Sequence, residues 1–254
     1  MIDLRGKIAL VTGSSRGIGC ACALRLAEAG ANLVVNYVTS KAAATAVAEQ
    51  VQALGRDVAV VKADVSERED VDELMAFIDR TYGRLDIIIS NAATGGFRPL
   101  LSTTDRDFAA AMNTNVRALL YLVQAGVDLL ADHPERAKVV GLSSHGSELA
   151  LPMYGTIGAS KAAMEALVRH LALELGRRNI NFNVVKAGLV ETDSTRMLPG
   201  ADAMFQAARQ RNLVGDRLLT AEDVANAVLF LCSPLSDMIQ GEVVTVDGGA
   251  GVHA

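Results

Sequence analysis

The chain has only three cysteines among its 254 residues, and this small, odd number argues against a framework of disulfide bonds. Cys20 and Cys22 are two positions apart on a predicted helix, about 200° around its axis, so they cannot hold one metal ion together. The four histidines show no metal-ligand spacing; they are His133, His145, His170 and His253. We therefore expect no structural metal.

Long apolar runs and an excess of positive charge are also lacking. No apolar run approaches the roughly 18 residues that a membrane span needs, and the amino terminus carries no signal-peptide pattern. The formal net charge is -5 and the isoelectric point is near 5.4, so no general basic field attracts nucleic acid or an anionic membrane. We expect a cytoplasmic protein with no nucleic-acid or membrane partner.

The sequence does contain a regular alternation of apolar strands and helices. The strand candidates are continuous apolar runs, typical of parallel strands buried on both faces; they span 8–11, 33–35, 58–61, 87–89, 139–142, 182–185 and 243–246. Helical patterns lie near 17–29, 41–54, 67–81, 104–131, 155–175 and 222–232, with a short one at about 201–211. With 50% hydrophobic residues and no polar linker, residues 1–254 are predicted to form one α/β domain. We expect a Rossmann-type doubly wound parallel sheet with flanking helices.

A glycine-rich stretch, Thr12 to Gly19, follows the first strand directly and opens a helix. Its glycines let the backbone approach a pyrophosphate closely. The start of the helix adds unpaired N–H groups and a partial positive charge. This placement predicts a dinucleotide-binding loop rather than a simple turn.

The end of the second strand indicates which dinucleotide binds. The run Val35-Asn36-Tyr37 has no Asp or Glu to accept hydrogen bonds from an adenosine ribose 2′-hydroxyl. Arg16 is able to pair with a 2′-phosphate, helped by Ser40 or Lys41, while the alternative for Arg16 is a solvated surface side chain. NADPH is therefore favoured over NADH.

Tyr154 and Lys161 are seven positions apart, and on a helix this spacing brings them within about 20° of one face, two turns apart. A hydroxyl and an ammonium in one cleft suit the stabilisation of a developing oxyanion. Position 157, four before the lysine, holds Ile157. A tyrosine and a lysine that meet near a helix start by chance are the alternative.

Taken together, these motifs resemble the short-chain dehydrogenases/reductases over essentially the whole chain. The matching pieces are Thr12 to Gly19, Asp64-Val65, Asn91-Ala92-Ala93, Asn115, Ser144, and Ala187-Gly188 to Thr192. Within that family, a tyrosine seven before the lysine is similar to the enoyl-acyl-carrier-protein reductases rather than the carbonyl reductases. Segments 36–37, 90–100, 161–167 and 237–241 resemble enoyl-acyl-carrier-protein reductase III, the FabL type.

The resemblance implies a role for each matching position. The implied cofactor-binding residues are Gly13, Ser15, Arg16, Gly17, Ile18, Gly19, Tyr37, Ser40, Asp64, Val65, Asn91, Ala92, Lys161, Gly188, Val190 and Thr192. The implied catalytic residues are Tyr154, Lys161, Ser144 and Asn115. Two of these keep alternatives. Ser144 either supplies a second hydroxyl donor or caps a strand end, and Asn115 either holds a water chain or bends its helix. A homotetramer or homodimer is also implied.

The implied reaction is NADPH-dependent reduction of the 2,3 double bond of an enoyl thioester, carried by an acyl carrier protein. Hydride at the β carbon drives charge onto the thioester oxygen, where Tyr154 would stabilise an enolate while Lys161 holds the nicotinamide ribose. Moving the tyrosine back three positions shifts its anchor by about 4.5 Å along the helix, toward this more distant oxygen. A carbonyl or alcohol oxidoreductase and a catalytically silent NADPH-binding protein stay open as alternatives.

The alternation of elements breaks between residues 188 and 220, and we predict that about 189–213 covers the substrate. Its larger apolar side chains either contact an acyl chain or pack in the ordinary way; they are Met197, Leu198, Met204 and Phe205. The stretch 97–100 would form the opposite wall. Arg98 and Arg196 are either contacts for an acidic carrier protein or solvated loop charges.

Lys186 stands where relatives commonly carry a small residue, and Ala187 replaces a usual proline. The lysine either contacts a phosphate or an acidic substrate, or it is exposed or braces its loop. The sequence alone leaves these alternatives open.

Overall fold

A seven-stranded parallel sheet forms the centre of the protein, with the strand order β3-β2-β1-β4-β5-β6-β7 in the computed structural model. The structure describes residues 2–198 and 200–252. The strands are β1 Ile8–Val11, β2 Asn32–Tyr37, β3 Val58–Lys62, β4 Ile87–Ser90, β5 Ala137–Ser144, β6 Ile180–Ala187 and β7 Val243–Val246. The predicted doubly wound parallel sheet with flanking helices is confirmed.

Helices connect the strands on both faces of the sheet. They are α1 Gly17–Glu28, α2 Lys41–Ala53, α3 Arg68–Tyr82, α4 Asp105–Met112, α5 Ala118–Leu130, α6 Gly155–Leu175, α7 Asp193–Arg196, α8 Ala201–Arg211 and α9 Ala221–Leu231. The single helix expected over 104–131 is wrong in one respect, because a π-helical turn, Asn113–Arg117, separates α4 from α5. Such turns are rare and occur often at functional sites.

Alternate residues of each strand pack into two different hydrophobic cores, one on each face of the sheet. On β1, Ala9 and Val11 belong to the core that includes α1 and α9, whereas Ile8 and Leu10 belong to the core that includes α3 and α5. All four side chains are buried. Burial on both faces is the reason that these strands have continuous apolar sequences rather than an alternating pattern.

The crevice of the sheet lies where the strand order reverses, between β1 and β4. The backbone N–H of Thr12 donates to the carbonyl of Ile89 at 3.0 Å, and Asn91 Nδ2 donates to the carbonyls of Thr12 and Gly13 at 2.9 and 3.1 Å. These bonds hold together the two loops that leave β1 and β4. Ligands of doubly wound sheets bind in this crevice, at the carboxyl ends of the strands.

Two features are absent from residues 2–198 and 200–252. No helix in these ranges is long and apolar enough to cross a membrane. Three or more His, Cys, Asp or Glu side chains in a metal-binding arrangement were not found in the same ranges. His253, which was part of the argument against a metal, lies outside the described residues.

Candidate active site

The loop after β1 has the close backbone approaches expected of a phosphate-binding loop. Gly13 has φ +61° and its N–H donates to Asn36 Oδ1 at 3.1 Å. A Cβ at Gly19 would lie 2.6 Å from the carbonyl of Gly13 and would collide with the amide of Asn91. Arg16, the N-cap of α1, makes no side-chain capping bond, and the first turn of α1 has no acidic residue. The start of this helix therefore fits an anionic pyrophosphate.

The loop after β6 approaches this loop from the other side of the crevice. Gly17 has φ +57°, and a Cβ built there would lie 3.5 Å from Cγ2 of Thr192. Thr192 caps α7, with its hydroxyl accepting from the N–H of Thr195. The structure thus brings Gly17 and Thr192, two of the predicted cofactor-binding residues, close together. Val190 is buried and forms an isolated bridge with Leu219.

The residues predicted for the adenosine half have mixed surroundings. Ser40 is exposed at the start of α2, whereas Tyr37 is 8% exposed and packs in the core. Asp64 accepts from the backbone N–H and the hydroxyl of Ser66, and Val65 is buried. Ala92 donates its N–H to the hydroxyl of Thr12. Their contacts with a cofactor stay a prediction.

Tyr154 lies just outside α6, as the N-cap residue, with φ -103° and ψ 2°. Tyr154 is therefore not helical, and the prediction that residues 154 and 161 share a helical face is wrong. Its hydroxyl lies instead 3.0 Å from Ser144 Oγ at the end of β5. The ring packs on Gly146 and is tilted against the ring of Phe97 at a centroid distance of 5.7 Å.

The glycine at 146 explains how Tyr154 comes so close to Ser144. A Cβ at Gly146 would collide with the ring of Tyr154, and a Cβ at Gly158 would collide with the carbonyl of Gly146. Burial raises the pKa of Tyr154, and the hydrogen bond with Ser144 opposes this by lowering it. Tyr154 therefore keeps its proton at neutral pH and is available as a donor.

Lys161 is buried and donates from Nζ to the carbonyl of Leu142 at 2.6 Å. Burial lowers the pKa of Lys161 to about 8, and the charge of Glu165 opposes this by raising it. Desolvation disfavours the charged form of a lysine, so the site holds an ammonium that is close to losing its proton.

Asn115 lies in the π-helical turn, and its side-chain amide is used by neighbouring protein groups. Its Oδ1 accepts from the N–H of Thr94 at 2.8 Å, and its Nδ2 donates to the carbonyl of Thr94 at 2.9 Å and to Ser160 Oγ at 2.8 Å. Asn115 therefore fastens the loop after β4 to α6. The structure places Asn115 in a π-helical turn, and its catalytic role stays a prediction.

A cavity of 330 Å³ opens beside Tyr154. Its lining residues are Arg98, Leu100, Gly146, Leu149, Ala150, Leu151, Met153, Tyr154 and Gly155. The predicted wall at 97–100 is thus at this cavity. The stretch 149–153 was not predicted, although its sequence, Leu-Ala-Leu-Pro-Met, is an apolar run in an exposed loop. That combination is a signal for a binding surface.

The apolar residues predicted in the segment 189–213 do not line this cavity. Met197 is 83% exposed, and Phe205 lines a separate cavity of 270 Å³. Of the two candidate carrier contacts, Arg98 pairs with Asp107 at 2.7 Å and Arg196 pairs with Glu191. That the segment covers the substrate stays a prediction.

Lys186 is only 2% exposed, which removes the alternative of an exposed lysine. Its Nζ pairs with Glu148 and lies 3.6 Å from Glu165 Oε1. Glu165 and Ser143, which complete this buried group, were not singled out in the sequence. Their proximity depends on how α6 packs on β5 and β6.

Comparison with known proteins places these features in context. A family model described as Enoyl-(Acyl carrier protein) reductase matches residues 13–251. Hydroxynaphthalene reductase arp2 of Aspergillus fumigatus is 33% identical over 251 residues, which cover 95% of this chain and 91% of the relative.

Two crystal structures of similar proteins have nearly the same fold. A short-chain dehydrogenase from Burkholderia cenocepacia J2315 in complex with NADP has a TM-score of 0.89 and 36% identity, covering 97% of this chain and 98% of that one. An enoyl-[acyl-carrier-protein] reductase (NADH) from Aquifex aeolicus VF5 has a TM-score of 0.90 and 32% identity, covering 99% of this chain and 98% of that one.

Proposed function

This chain belongs to the short-chain dehydrogenase/reductase family of oxidoreductases, and from the geometry of its site we propose that it reduces the 2,3 double bond of enoyl thioesters. One observation carries the proposal: the hydroxyl that reaches Ser144 belongs to Tyr154, seven residues before Lys161. The position four before the lysine holds Ile157, which is 7% exposed and packs against Gly95. The family model that matches is that of the enoyl reductases.

A nicotinamide cofactor fits the crevice, where Gly13 and Gly19 leave no room for side chains and the start of α1 is open to an anion. When bound, it supplies the hydride. We propose NADPH rather than NADH, because Arg16 is exposed beside this loop and the end of β2 has no carboxylate for a ribose 2′-hydroxyl. The similar dehydrogenase from Burkholderia cenocepacia was crystallised with NADP, which agrees with this choice.

In the proposed reaction, charge develops on the thioester oxygen as the β carbon is reduced. The hydroxyl of Tyr154 donates a hydrogen bond to this oxygen, and Ser144 orients the hydroxyl from 3.0 Å. A proton from Tyr154 or from water then completes the reduction at the α carbon. Lys161 is fixed by the carbonyl of Leu142 at 2.6 Å and holds the nicotinamide ribose. Both groups are positioned before substrate arrives, so little reorganisation is needed.

The cavity beside Tyr154 is where we place the acyl chain. Its apolar side chains include Leu100, Leu149, Leu151 and Met153. We further propose an acyl carrier protein as the carrier, a place in fatty-acid or polyketide synthesis, and a homotetramer or homodimer. Light scattering of the purified protein tests the assembly.

Carbonyl reduction is the second candidate. The relative from Aspergillus fumigatus is named a hydroxynaphthalene reductase, and the pair of hydroxyls at Ser144 and Tyr154 is also suited to a carbonyl oxygen. A substrate panel separates the two functions. Purified protein is mixed with NADPH or NADH and with crotonyl thioester, a 3-ketoacyl thioester or a hydroxynaphthalenone. We expect rapid oxidation of NADPH with crotonyl thioester alone; turnover confined to the ketones would contradict the proposal, and tight NADPH binding with no turnover would favour a binding protein.

A further inference from the structure

A group of buried charges lies behind the proposed active site, between α6 and the ends of β5 and β6. Lys186 of β6 is 2% exposed and Glu165 of α6 is 6% exposed. Lys186 Nζ lies 3.6 Å from Glu165 Oε1 and also pairs with Glu148, whose side chain is 68% exposed. Buried charges are costly unless paired, so the buried side chains of Lys186 and Glu165 depend on each other.

The carboxylate of Glu165 is held by Lys186 and Ser143, and Lys161 is bonded next to Ser143, at the carbonyl of Leu142. Glu165 follows Lys161 by four positions, about one turn of α6, and its charge acts on the pKa of Lys161. Ser143 Oγ donates to Glu165 Oε1 at 2.5 Å. Ser143 of β5 is paired with Lys186 of β6 in the sheet. Their side chains therefore lie on the same face of the sheet, where both contact Glu165 of α6.

Several other ionisable side chains near the amino-terminal half of α6 have partners of their own. Tyr154 bonds with Ser144. Asp107 pairs with Arg98, and His145 pairs with Asp247. Lys138 lies away from this group, at the start of β5, and pairs with Asp237. Glu165 is the acidic group that pairs with Lys186 and whose charge also acts on Lys161.

We propose that the buried pair of Glu165 and Lys186 controls the charge carried by Lys161. Glu165 is a positioning residue that keeps Lys161 an ammonium despite its burial. Lys186 limits this effect, because it draws on the same carboxylate. The inference rests on the proposed function only for what Lys161 does in the reaction, since the charge of Lys161 is a property of the protein alone.

Two substitutions should move the pKa of Lys161 in opposite directions. Glu165→Gln removes a negative charge and should lower that pKa by about one unit or more, the usual size for a close charge in a buried site. Lys186→Met removes a positive charge and leaves Glu165 to Lys161, so it should raise the pKa. A packing defect alone would not shift the pKa of Lys161 in opposite directions in the two variants.

Lysine labelled with ¹³C at Cε allows a direct NMR titration, because the chain has only six lysines. They are Lys7, Lys41, Lys62, Lys138, Lys161 and Lys186, and Lys161→Arg assigns the signal of interest. The matched control is Lys138→Met, which removes another buried lysine, paired with Asp237 through a contact of 2.6 Å at the opposite end of β5. The control should leave the titration of Lys161 unchanged.

Opposite shifts in the two variants, with no shift in the control, support the inference. Shifts of the same sign, or titration of Lys161 unchanged in both variants, would overturn it. If Lys186→Met does not fold, Lys186→Gln makes the same prediction with a polar side chain. The titration uses protein without cofactor or substrate, so it stays informative even if crotonyl thioester is not reduced.

Discussion

The hydroxyl of Tyr154 and Ser144 Oγ lie 3.0 Å apart, although Tyr154 precedes α6 and Ser144 ends β5. Two glycines make this contact possible because they have no side chains. The ring of Tyr154 packs directly on Gly146, and the carbonyl of Gly146 packs directly on Gly158. The hydroxyl of Tyr154 thereby reaches the end of β5, although Ile157 holds the position four before Lys161.

Tyr154→Phe should lower kcat for crotonyl thioester by about 10²- to 10³-fold, the usual effect of removing one oxyanion donor. The ring remains, so the affinity for NADPH, measured by fluorescence titration, should stay the same. Tyr121→Phe is a matched control. Tyr121 lies on α5, and Cζ of Arg68 is 5.5 Å from the centroid of its ring. An unchanged kcat in Tyr154→Phe would remove Tyr154 from the mechanism.

Ser144→Ala should have a smaller effect, because it removes an orienting partner rather than the main donor. A neutral hydrogen bond is worth about 1 kcal/mol, so we expect kcat to fall by roughly 5- to 10-fold. The pKa of Tyr154 should rise, since the bond from Ser144 lowers it. Ser147→Ala, which removes a hydroxyl bonded to the carbonyl of Ser144, is the control; an equal loss of kcat there would indicate a general disturbance of the loop.

The fold could be predicted from the sequence because its signals are local. Continuous apolar runs such as 87–89 marked strands that are buried on both faces, and β4 is observed at Ile87–Ser90. The short helix expected at about 201–211 is observed as α8. The signal for the predicted phosphate-binding loop is also local, since it consists of glycines that follow one strand and open one helix.

The site could be predicted only in part because its remaining contacts are not local. The π-helical turn at Asn115 depends on bonds to Thr94 and Ser160, 21 and 45 positions away. The surroundings of Lys186 depend on the register of β6 with β5 and on the packing of α6. No spacing in the sequence encodes these relationships, so Lys186 kept two readings until the structure was known.

The glycines of α6 give a paired test of the close approach. Gly158→Ala should lower the free energy of unfolding by about 1–3 kcal/mol, as overpacking does, and should lower kcat, because the carbonyl of Gly146 must move away. In Gly155→Ala, the new Cβ would approach only the side chain of Leu100, to 2.7 Å. Leu100 is 63% exposed and is free to move away. This control should be neutral or stabilising by up to about 1 kcal/mol, because alanine favours a helix. Chemical denaturation compares the two; equal stability would show that the loop adapts without cost.

The pH dependence of activity should reflect Lys161. Its pKa in the folded protein is about 8, below the ordinary value of 10.5, so the ammonium is lost as the pH rises through about 8 and kcat/KM should fall there. Lys161→Arg, whose guanidinium stays charged, should lack this decline even if its rate is lower. A decline that persists in Lys161→Arg would assign it to another group.

Stability should follow the opposite trend over the same range. Between pH 8 and 10.5 the unfolded chain binds a proton at Lys161 that the folded protein does not. The contribution of Lys161 to the free energy of unfolding therefore rises with pH in this window and is constant below it. We compare the free energies of unfolding of wild type and Lys161→Met at pH 7.5, below this window, and at pH 10, within it. From the lower to the higher pH, the free energy of unfolding should rise in wild type relative to Lys161→Met.

Arg16 should decide between the two nicotinamide cofactors. Its guanidinium is exposed at the start of α1, and a hydrogen bond to a charged group is worth about 1.5–3 kcal/mol. Arg16→Gln should therefore weaken NADPH binding by roughly 10- to 100-fold while the affinity for NADH stays within about twofold, because only NADPH carries the 2′-phosphate. Arg25→Gln is the matched control on the same helix, where Arg25 pairs with Glu28 at 2.8 Å. Fluorescence titration with both cofactors measures the effect; an equal loss for NADH and NADPH would place Arg16 at the shared pyrophosphate instead.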